Sequence, residues 1–566
     1  MTNLRLLKIR GVQLPKGLEY LSNQLRLLDW RGFPLESLPS NLQLNKLVEL
    51  KMDGGRIRQP WKGNKPFNML KSISFNSCKS LIKTPDFTEI PNLEELTLVG
   101  CSRLNEIHPS LLAHEKIKRM DLSYCSSLKT LPSQIHMESL RSLSLGGCSK
   151  LKRFPEIIGS MECLLELILY HTAIKELPLS IGLLFGLEFL DLNNCKNLSS
   201  LPITINGLKS LKTLFISHWS RLVSLPSIID SLKSLQKLSI SHCSRLVSLP
   251  STIDDLKSLK YLFISHCSRL VSLPNGLKSL QNFSISPCSN PMTFPSNLCH
   301  IKKLQLRDCN LGDGAITSDL LGSFISFEEL DLSQNNFVSL PASINRLSNL
   351  RFLSLNCCRR LQILPELPSN ISSLSVSGCI SLERLSNALR LCNSNLSNIS
   401  SFNCLKLDGT GEAFSIMKER LKLTNSSKRF SMVVPASGVP EWFKHKSDGH
   451  SIKIEKLPDL NKNDSKLVGY VVCATFFHCD KWLFLLRCSV TRGFSVHECS
   501  RLTFDVDSRL PGLDHLWLLY LPGKKIKRFN SPEFKIWLDG CPTFRVKVKR
   551  VGVHPVYENE DFVEFH

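Results

Sequence analysis

Several things are missing from this 566-residue chain, and each absence excludes a class of protein. No run of roughly 18 apolar residues exists, so no helix is expected to span a bilayer. The longest apolar stretch, Leu467 to Phe477, has the length of a strand. The opening MTNLRLLKIRGVQLPKG lacks a charged lead followed by an apolar core, so no secretory signal is expected. No G-x-x-x-x-G-K-[ST] loop is present to cradle a nucleotide phosphate. No G-x-S-x-G elbow frames a nucleophilic serine. Adjacent acidic pairs such as Glu94–Glu95 and Glu328–Glu329 lie on expected strands and point to opposite faces, so they make no acid/base couple. These absences argue against an enzyme and imply no cofactor.

Cysteine, by contrast, is plentiful: 21 residues. Most recur at one place in a repeat and not in disulfide-like spacings, which fits reduced thiols in the cytoplasm or nucleus. Cys473, Cys479, Cys488 and Cys499, with His478 and His497, cluster along the chain, but their spacing matches no zinc pattern. The formal charge is +22. Such a charge raises nucleic acid as a partner, yet no zinc-finger or RNA-recognition motif accompanies it. A solenoid with many solvated Lys and Arg is the simpler account.

What the chain does have is a repeated sentence. ISHWSRLVSLPS starts at residue 216, ISHCSRLVSLPS at 240 and ISHCSRLVSLPN at 264. Looser copies run from Leu70 to about Leu382. The frame is L-x-x-L-x-L-x-x-C-x-x-L-x-x-L-P, and a period in the twenties marks a leucine-rich repeat. In the copy starting at Leu140, Leu143 and Leu145 alternate with Ser142, Ser144 and Gly146, the pattern of a short strand. Leu151 and Phe154 turn the chain back, Pro155 stops it, and the following residues form a loop or a short helical turn. One repeat cannot bury its leucines alone; stacked repeats bury them in a continuous core. The ladder position reads Cys78, Cys101, Cys125, Cys148, Thr172, Cys195, Trp219, Cys243, Cys267, Cys288, Cys309, Asn335, Cys358 and Cys379. Cysteine fits there as a small buried near-apolar residue, whereas Trp219 is expected to bulge or reorient.

The expected organisation is a leucine-rich repeat solenoid over 1–385, with a parallel β concave face and a mostly irregular convex side. A linker with a short helix near Gly411–Leu423 covers 386–428. An all-β sandwich of jelly-roll or Ig-like type covers 429–566, because short β-prone runs such as LVGYVVCATFF and HLWLLYLP follow one another without helices.

Four stretches carry a family resemblance. They are the opening LRLLKIRGVQLPKGLEYLSNQLRLLDWRGFPLESLPSNLQLNKLVELKM, the Cys-type repeats ending in LP, SFNCLKLD, and VVPASGVPEWFKHKSDGHSIKIEKLP with LVGYVVCATF and KRVGVHPVYENED. The chain resembles the C-terminal half of plant intracellular immune receptors of the TIR–nucleotide-binding–leucine-rich-repeat class. The resemblance implies a recognition module that binds a pathogen effector protein through the concave face and C-terminal loops, or that works beside a full-length immune receptor. It implies neither the family's NAD cleavage nor its nucleotide switching, since the motifs for these are absent here. The first residues already lie within a repeat, so a capping segment or domain upstream is expected. Oligomerisation is not expected. A general repeat scaffold or adaptor without immune signalling is the alternative.

Two surfaces are candidates for protein binding. On the expected strands, Tyr170, Phe189, Phe215, Tyr261 and Phe263 flank the inner leucines, and Tyr and Phe are favoured interface anchors. They could equally pack on one another. Two residues past the ladder, Arg221, Arg245 and Arg269, with Arg103, Lys150 and Arg360, form a row of cations with His242 and His266 nearby, which suits an acidic partner face. A solvated charged edge is the alternative. Trp442 and Phe443, in the Pro440-Glu441-Trp442-Phe443 signature, read as packing residues.

Overall fold

The computed structural model describes residues 3–13, 18, 20–61, 66–271, 273–274, 276–287, 300–317, 321, 326–390, 392, 395–423, 428–454, 467–477, 484–492, 495–504, 514–523, 532–539 and 547–557. They divide into two compact units, Met1–Asn297 and Leu298–His566.

In the first unit, strands one rung apart pair in parallel from Leu6–Arg10 to Asn282–Ser286. The register never slips in the central rungs, where Leu190, Leu214 and Leu238 lie opposite one another and Leu238 opposes Leu262. Each of these leucines is fully buried, as are Leu192, Ile216, Ile240 and Ile264 one pleat further on. A one-residue slip would move this whole set to the solvent face, so burial itself locks the register.

After each strand the chain turns through a left-handed residue: Ser77, Gly100, Tyr124, Gly147, His171, Asn194, His218, His242 and His266. The ladder residue follows and faces inward. Its cysteines do more than fill space. Cys78, Cys101, Cys125, Cys148 and Cys195 donate their S–H to the carbonyls of Met52, Phe75, Leu98, Leu122 and Leu169, at 3.0–3.2 Å. Each acceptor ends the strand of the preceding rung, so every thiol ties two repeats together. Trp219 neither bulges nor leaves the row. It is fully buried, and its indole N–H reaches Leu192 O at 3.0 Å. Cys243 and Cys267 instead bond within their own turns, to Ser241 O and Ser265 O. Cys288 lies outside the described residues.

The prolines also do something other than stop the chain. Pro178, Pro202, Pro226 and Pro250 open 3-10 turns over Leu179–Leu183, Ile203–Gly207, Ser227–Ser231 and Ser251–Asp255. Proline's fixed φ suits the entry to a helical turn. Ile181, Ile205, Ile229 and Ile253 from these turns complete the core from the side opposite the strands. In the Leu140 copy the outer segment is different again: Glu156–Ile157 pairs in parallel with Gln134–Ile135.

The second unit continues the same architecture through Lys303–Leu306, Glu329–Asp331, Phe352–Ser354 and Ser373–Ser375. Asn335 occupies the ladder here. Its amide donates to Leu306 O and Leu332 O at 2.7 Å, and its Oδ1 accepts from the N–H groups of Cys309 and Leu311 at 3.1 Å.

Among its described residues, the stretch expected to link the two folded parts carries a strand and a helix. Asn398–Ser400 adds one more parallel rung beside Ser373–Ser375, and Cys404 donates to Val376 O at 3.1 Å in ladder fashion. The helix Gly409–Leu423 then packs on this end. Glu412 in its first turn accepts from the N–H groups of Leu385 and Ser386 at 3.0 and 2.6 Å and from Ser386 Oγ. Arg420 donates to Leu396 O and lies over the Phe430 ring at 5.1 Å.

Phe430–Pro435 pairs in parallel with Asn398–Ser400 and antiparallel with Asp514–Pro522. The repeat sheet of this unit therefore runs into an antiparallel one, completed by Leu467–Phe477, Lys547–Tyr557 and His445–Asp448. A second antiparallel sheet contains Ser451–Lys453, Glu533–Asp539, Phe484–Arg492 and Ser495–Phe504. Val472, Trp517, Leu519 and Val553 of the first sheet share one apolar core with Val490, Phe534 and Ile536 of the second.

Candidate functional site

The pleat decides which side chains the central strands offer to solvent. One facing row reads Glu166, Phe189, Thr213, Lys237, Tyr261, Asn282; the next reads Ile168, Asp191, Phe215, Ser239, Phe263, Ser284. Phe189, Phe215, Tyr261 and Phe263 are half-buried on these rows. Phe189 and Phe215 meet edge to face, centroids 5.4 Å apart at 89°. Lys237 occupies the diagonal between the Phe215 and Phe263 rings. Its Nζ lies 5.0 Å from the Phe215 centroid and 5.5 Å from that of Phe263. Each such contact is worth about 0.5–1 kcal/mol at an exposed site. Phe189, Phe215, Lys237 and Phe263 thus form one connected group, with Tyr261 opposite Lys237 on the next strand. Sequence reasoning missed Lys237. Its signal was a lysine at a facing position between two repeats bearing aromatics. Asp191 shares a row with Phe215; burial raises its carboxyl above the ordinary range, against the opposing hydrogen bond from Asn193 N–H.

Tyr170 belongs to a different group. It follows the strand Glu166–Ile168 and packs on Tyr124, centroids 6.0 Å apart at 68°. Tyr124, 55 % exposed, also escaped sequence reasoning. Its signal was the Gly146–Gly147 pair. A Cβ on Gly146 would sit 2.2 Å from the Tyr170 ring, and one on Gly147 2.6 Å from the Tyr124 ring. Burial and the neighbouring Tyr124 hydroxyl push the Tyr170 phenol up.

Arg221, Arg245 and Arg269 are exposed and lie beyond the strand ends, in the turns that follow the ladder residue. They therefore stand on a row separate from the aromatics. Between the two, in the left-handed positions, sit His218, His242 and His266. Their rings stack face to face, 4.3 Å apart for the first pair and 4.2 Å for the second, and nearly parallel, at 5° and 8°. Burial and the two flanking imidazoles lower the basicity of His242. His218, the third member, was hidden by the ladder's change to Trp219 beside it. Beyond the arginines, Val223, Val247 and Val271 are 39–48 % exposed and form a short apolar row.

In the second unit, Trp442 stacks on Phe443 at 4.2 Å and touches Phe414 of the helix Gly409–Leu423 and His554 of the last strand. Both aromatics are buried, in keeping with a packing role. Gly552 is required beside them, since a Cβ there would sit 2.8 Å from Cys473 Sγ and 3.0 Å from the Phe443 ring. The SFNC stretch explains itself residue by residue. Ser401 bonds Val433 O through both N and Oγ, Phe402 stacks on His515 at 3.7 Å, and Asn403 N–H donates to His515 Nε2 at 2.9 Å.

No group of three or more His, Cys, Asp or Glu able to hold a metal exists among the described residues. Cys473 and Cys488 are buried, whereas His478 and Cys479 and the side chains of His497 and Cys499 lie outside the described residues.

Two family models match the chain. One, described as leucine-rich repeats of disease resistance proteins like RPS4B, covers residues 136–222 and 183–408. The other is the C-JID domain, residues 434–562. TMV resistance protein N from Nicotiana glutinosa is 32% identical over 486 residues, which is 84% of this chain and 40% of that protein. Disease resistance-like protein DSC1 from Arabidopsis thaliana is 32% identical over 496 residues, 81% of this chain and 39% of that protein. Disease resistance protein RPS4B, also from Arabidopsis thaliana, is 26% identical across 99% of this chain and 44% of its own length. The chain spans about two fifths of the length of these curated relatives. Among solved structures, a leucine-rich-repeat protein of Leptospira interrogans matches with a TM-score of 0.44 at 22% identity, covering 70% of this chain and 95% of that one. In its leucine-rich repeats and its C-JID domain, the chain belongs with the plant disease resistance proteins of the TIR–nucleotide-binding–leucine-rich-repeat type.

Proposed function

We propose that this chain is the recognition region of a plant immune receptor acting in the cytoplasm or nucleus, and that it binds a pathogen effector protein without catalysing a reaction. The contacts would come from the facing rows of the central strands and from loops of the C-terminal domain, which we read as a jelly-roll or Ig-like sandwich on the strength of its two sheets and shared core. One observation carries the binding surface: Phe189, Phe215, Lys237, Tyr261 and Phe263 stand half-buried on solvent-facing rows of adjacent strands. Semi-exposed aromatics held in place by a lysine lose little side-chain freedom on binding, the property of an interface anchor. Tyr170, paired with Tyr124, would form a second, separate contact. In a receptor that carries this region, effector contact would release the remainder to signal.

The test replaces Tyr261 and Phe263 with Ala in a full-length receptor bearing residues 1–566 and reads effector co-immunoprecipitation and the cell-death response. Loss of both, with unchanged protein level, is the expected result. Unchanged recognition would remove the central strand face from the proposal. Capture of a host signalling protein in place of any effector would favour an adaptor role. A fluorescent fusion found in secretory vesicles would overturn the assigned compartment.

A further inference from the structure

The three stacked histidines occupy a turn position that other repeats fill with several residue types, His171 among them. At the same turn the chain has Gly100, Gly147 and Gly378, each with positive φ. Glycine adopts that conformation without steric cost, whereas a residue with a Cβ is strained there. His218, His242 and His266 hold φ of 57, 53 and 54°. Non-glycine residues, Ser77, Tyr124, His171 and Asn194 among them, hold this turn in other rungs too; what sets these three successive repeats apart is that they hold the same imidazole and stack it, and a strained position kept at one ring type points toward function.

The surroundings say what the ladder can bind. Each histidine is followed three residues later by an exposed arginine, Arg221, Arg245 or Arg269, and none of these forms an ion pair with a described residue. The charges acting on His242 are those of His266 and His218, with no carboxylate among them. Before the ladder stand Asn194, whose amide meets His171 Nδ1 at 2.5 Å, and Ser217, whose Oγ meets His218 Nδ1 at 3.3 Å. Behind it are the buried Trp219, Cys243 and Cys267. The strip is a cluster of cationic and N–H groups without anions of its own, on a chain of charge +22.

We propose that the His218–His242–His266 ladder, with the arginines of the same turns, is a docking strip for an acidic peptide segment of a partner protein, gripped more tightly as pH falls. Mutual stacking closes the inner ring faces, which disfavours intercalated bases and leaves ring edges as donors to carboxylates. Parallel strands lie about 4.8 Å apart, so three rungs span about 10 Å. Two carboxylates on alternate residues of an extended segment, about 6.8 Å apart, fit within that span. An acidic ligand favours protonated imidazole, so binding takes up protons and strengthens through the range in which histidine titrates. The strip uses neither the aromatic rows nor an effector, so its failure and the failure of the recognition proposal are separate results.

The test measures anisotropy of a fluorescein-labelled hexaglutamate peptide with the full 566-residue chain, at pH 7.5 and 5.5 and constant low ionic strength. The wild type is expected to gain about tenfold in affinity at the lower pH, from roughly two added charges. H218N/H242N/H266N should lose most of that gain, and R221Q/R245Q/R269Q should bind weakly at both pH values. The triple glycine variant, H218G/H242G/H266G, supplies a second chain of the same ladder type, and thermal melts confirm that each variant is folded. Equal affinity at both pH values, an undiminished gain in the folded histidine variants, or tighter ladder-dependent binding of a ten-residue oligothymidylate than of the peptide would overturn the proposal.

Discussion

Trp219 donates its indole N–H to the carbonyl of Leu192 at 3.0 Å, performing with a large aromatic what a cysteine thiol does in five other rungs of the same unit. The two residue types share little in size or propensity. They share one donor at the correct depth, aimed at a carbonyl at the end of the preceding rung's strand, which can accept it alongside another partner because a carbonyl oxygen has two lone pairs. Trp219→Ala is expected to destabilise the first unit by about 3–5 kcal/mol through the cavity it leaves. Trp219→Phe keeps most of the volume and loses one hydrogen bond, at about 0.5–1.5 kcal/mol. Urea melts of the two variants check the order; a phenylalanine variant as unstable as the alanine one would assign the effect to volume alone.

Glu412 secures the end of the repeat stack by accepting from Leu385 N–H, Ser386 N–H and Ser386 Oγ. Glu412→Ala leaves two backbone donors without this partner and should cost about 3 kcal/mol, since hydrogen bonds to charged groups are the strong ones. Glu412→Gln retains one amide oxygen and should cost about half as much. Limited proteolysis should show new cleavage near residues 385–390 in the alanine variant. An unchanged digest would mean that the helix Gly409–Leu423 is held by its apolar face alone.

Burial pushes the thiols of Cys78, Cys148, Cys392 and Cys404 up to about 12. In the unfolded chain a thiol titrates near 8.5. Between these values the unfolded state binds fewer protons than the folded one, so stability falls as pH rises. Stability should therefore hold through pH 8 and decline from about pH 9 toward 12, because unfolding releases protons there. Melting temperature followed from pH 7 to 11 checks the sign. At pH 8, exposed Cys163 should react with a thiol reagent well before the buried ladder cysteines. Mass mapping of the labelled peptides would show the order.

Lys237 holds the rings of Phe215 and Phe263 at the same time. Lys237→Ala should cost only about 1 kcal/mol, from two weak exposed contacts. It should, however, loosen both rings, and a fluorine label on the two phenylalanines should report faster ring motion. Lys237→Met, which keeps the stem and drops the charge, should lie between the two. Identical spectra for all three chains would show that the lysine follows the rings and does not position them.

Much of the solenoid was legible in the residues. The alternation at Leu143 and Leu145 and the inward cysteines rest on patterns within one repeat, and the helix near Gly411–Leu423 on the residues of its own stretch. The outer arcs were less so. Pro178 and its equivalents start a 3-10 turn, and no periodic signal separates a proline that ends one element from one that begins the next. Phe189, Phe215, Tyr261 and Phe263 stand on strands, whereas Tyr170, expected on one, follows the strand Glu166–Ile168, and the partners of these rings were not legible. Tyr124 reaches Tyr170, and Lys237 reaches Phe215 and Phe263, from other rungs. The stretch 386–428 read as a linker because Asn398–Ser400 has too little apolar content to announce a strand; it pairs because Ser373–Ser375 offers an open edge.

By itself the sequence determined the repeat, its inner leucines and the row on which each side chain stands, because pleat and period are properties of a few consecutive residues. Only the tertiary structure decided which rows become partners. Register sets distances between residues about 24 positions apart, and it alone brings an indole to a carbonyl, a lysine between two phenyl rings and three histidines into one stack. The sentence ISHCSRLVSLP determines a rung, and the stacking of rungs makes the surface.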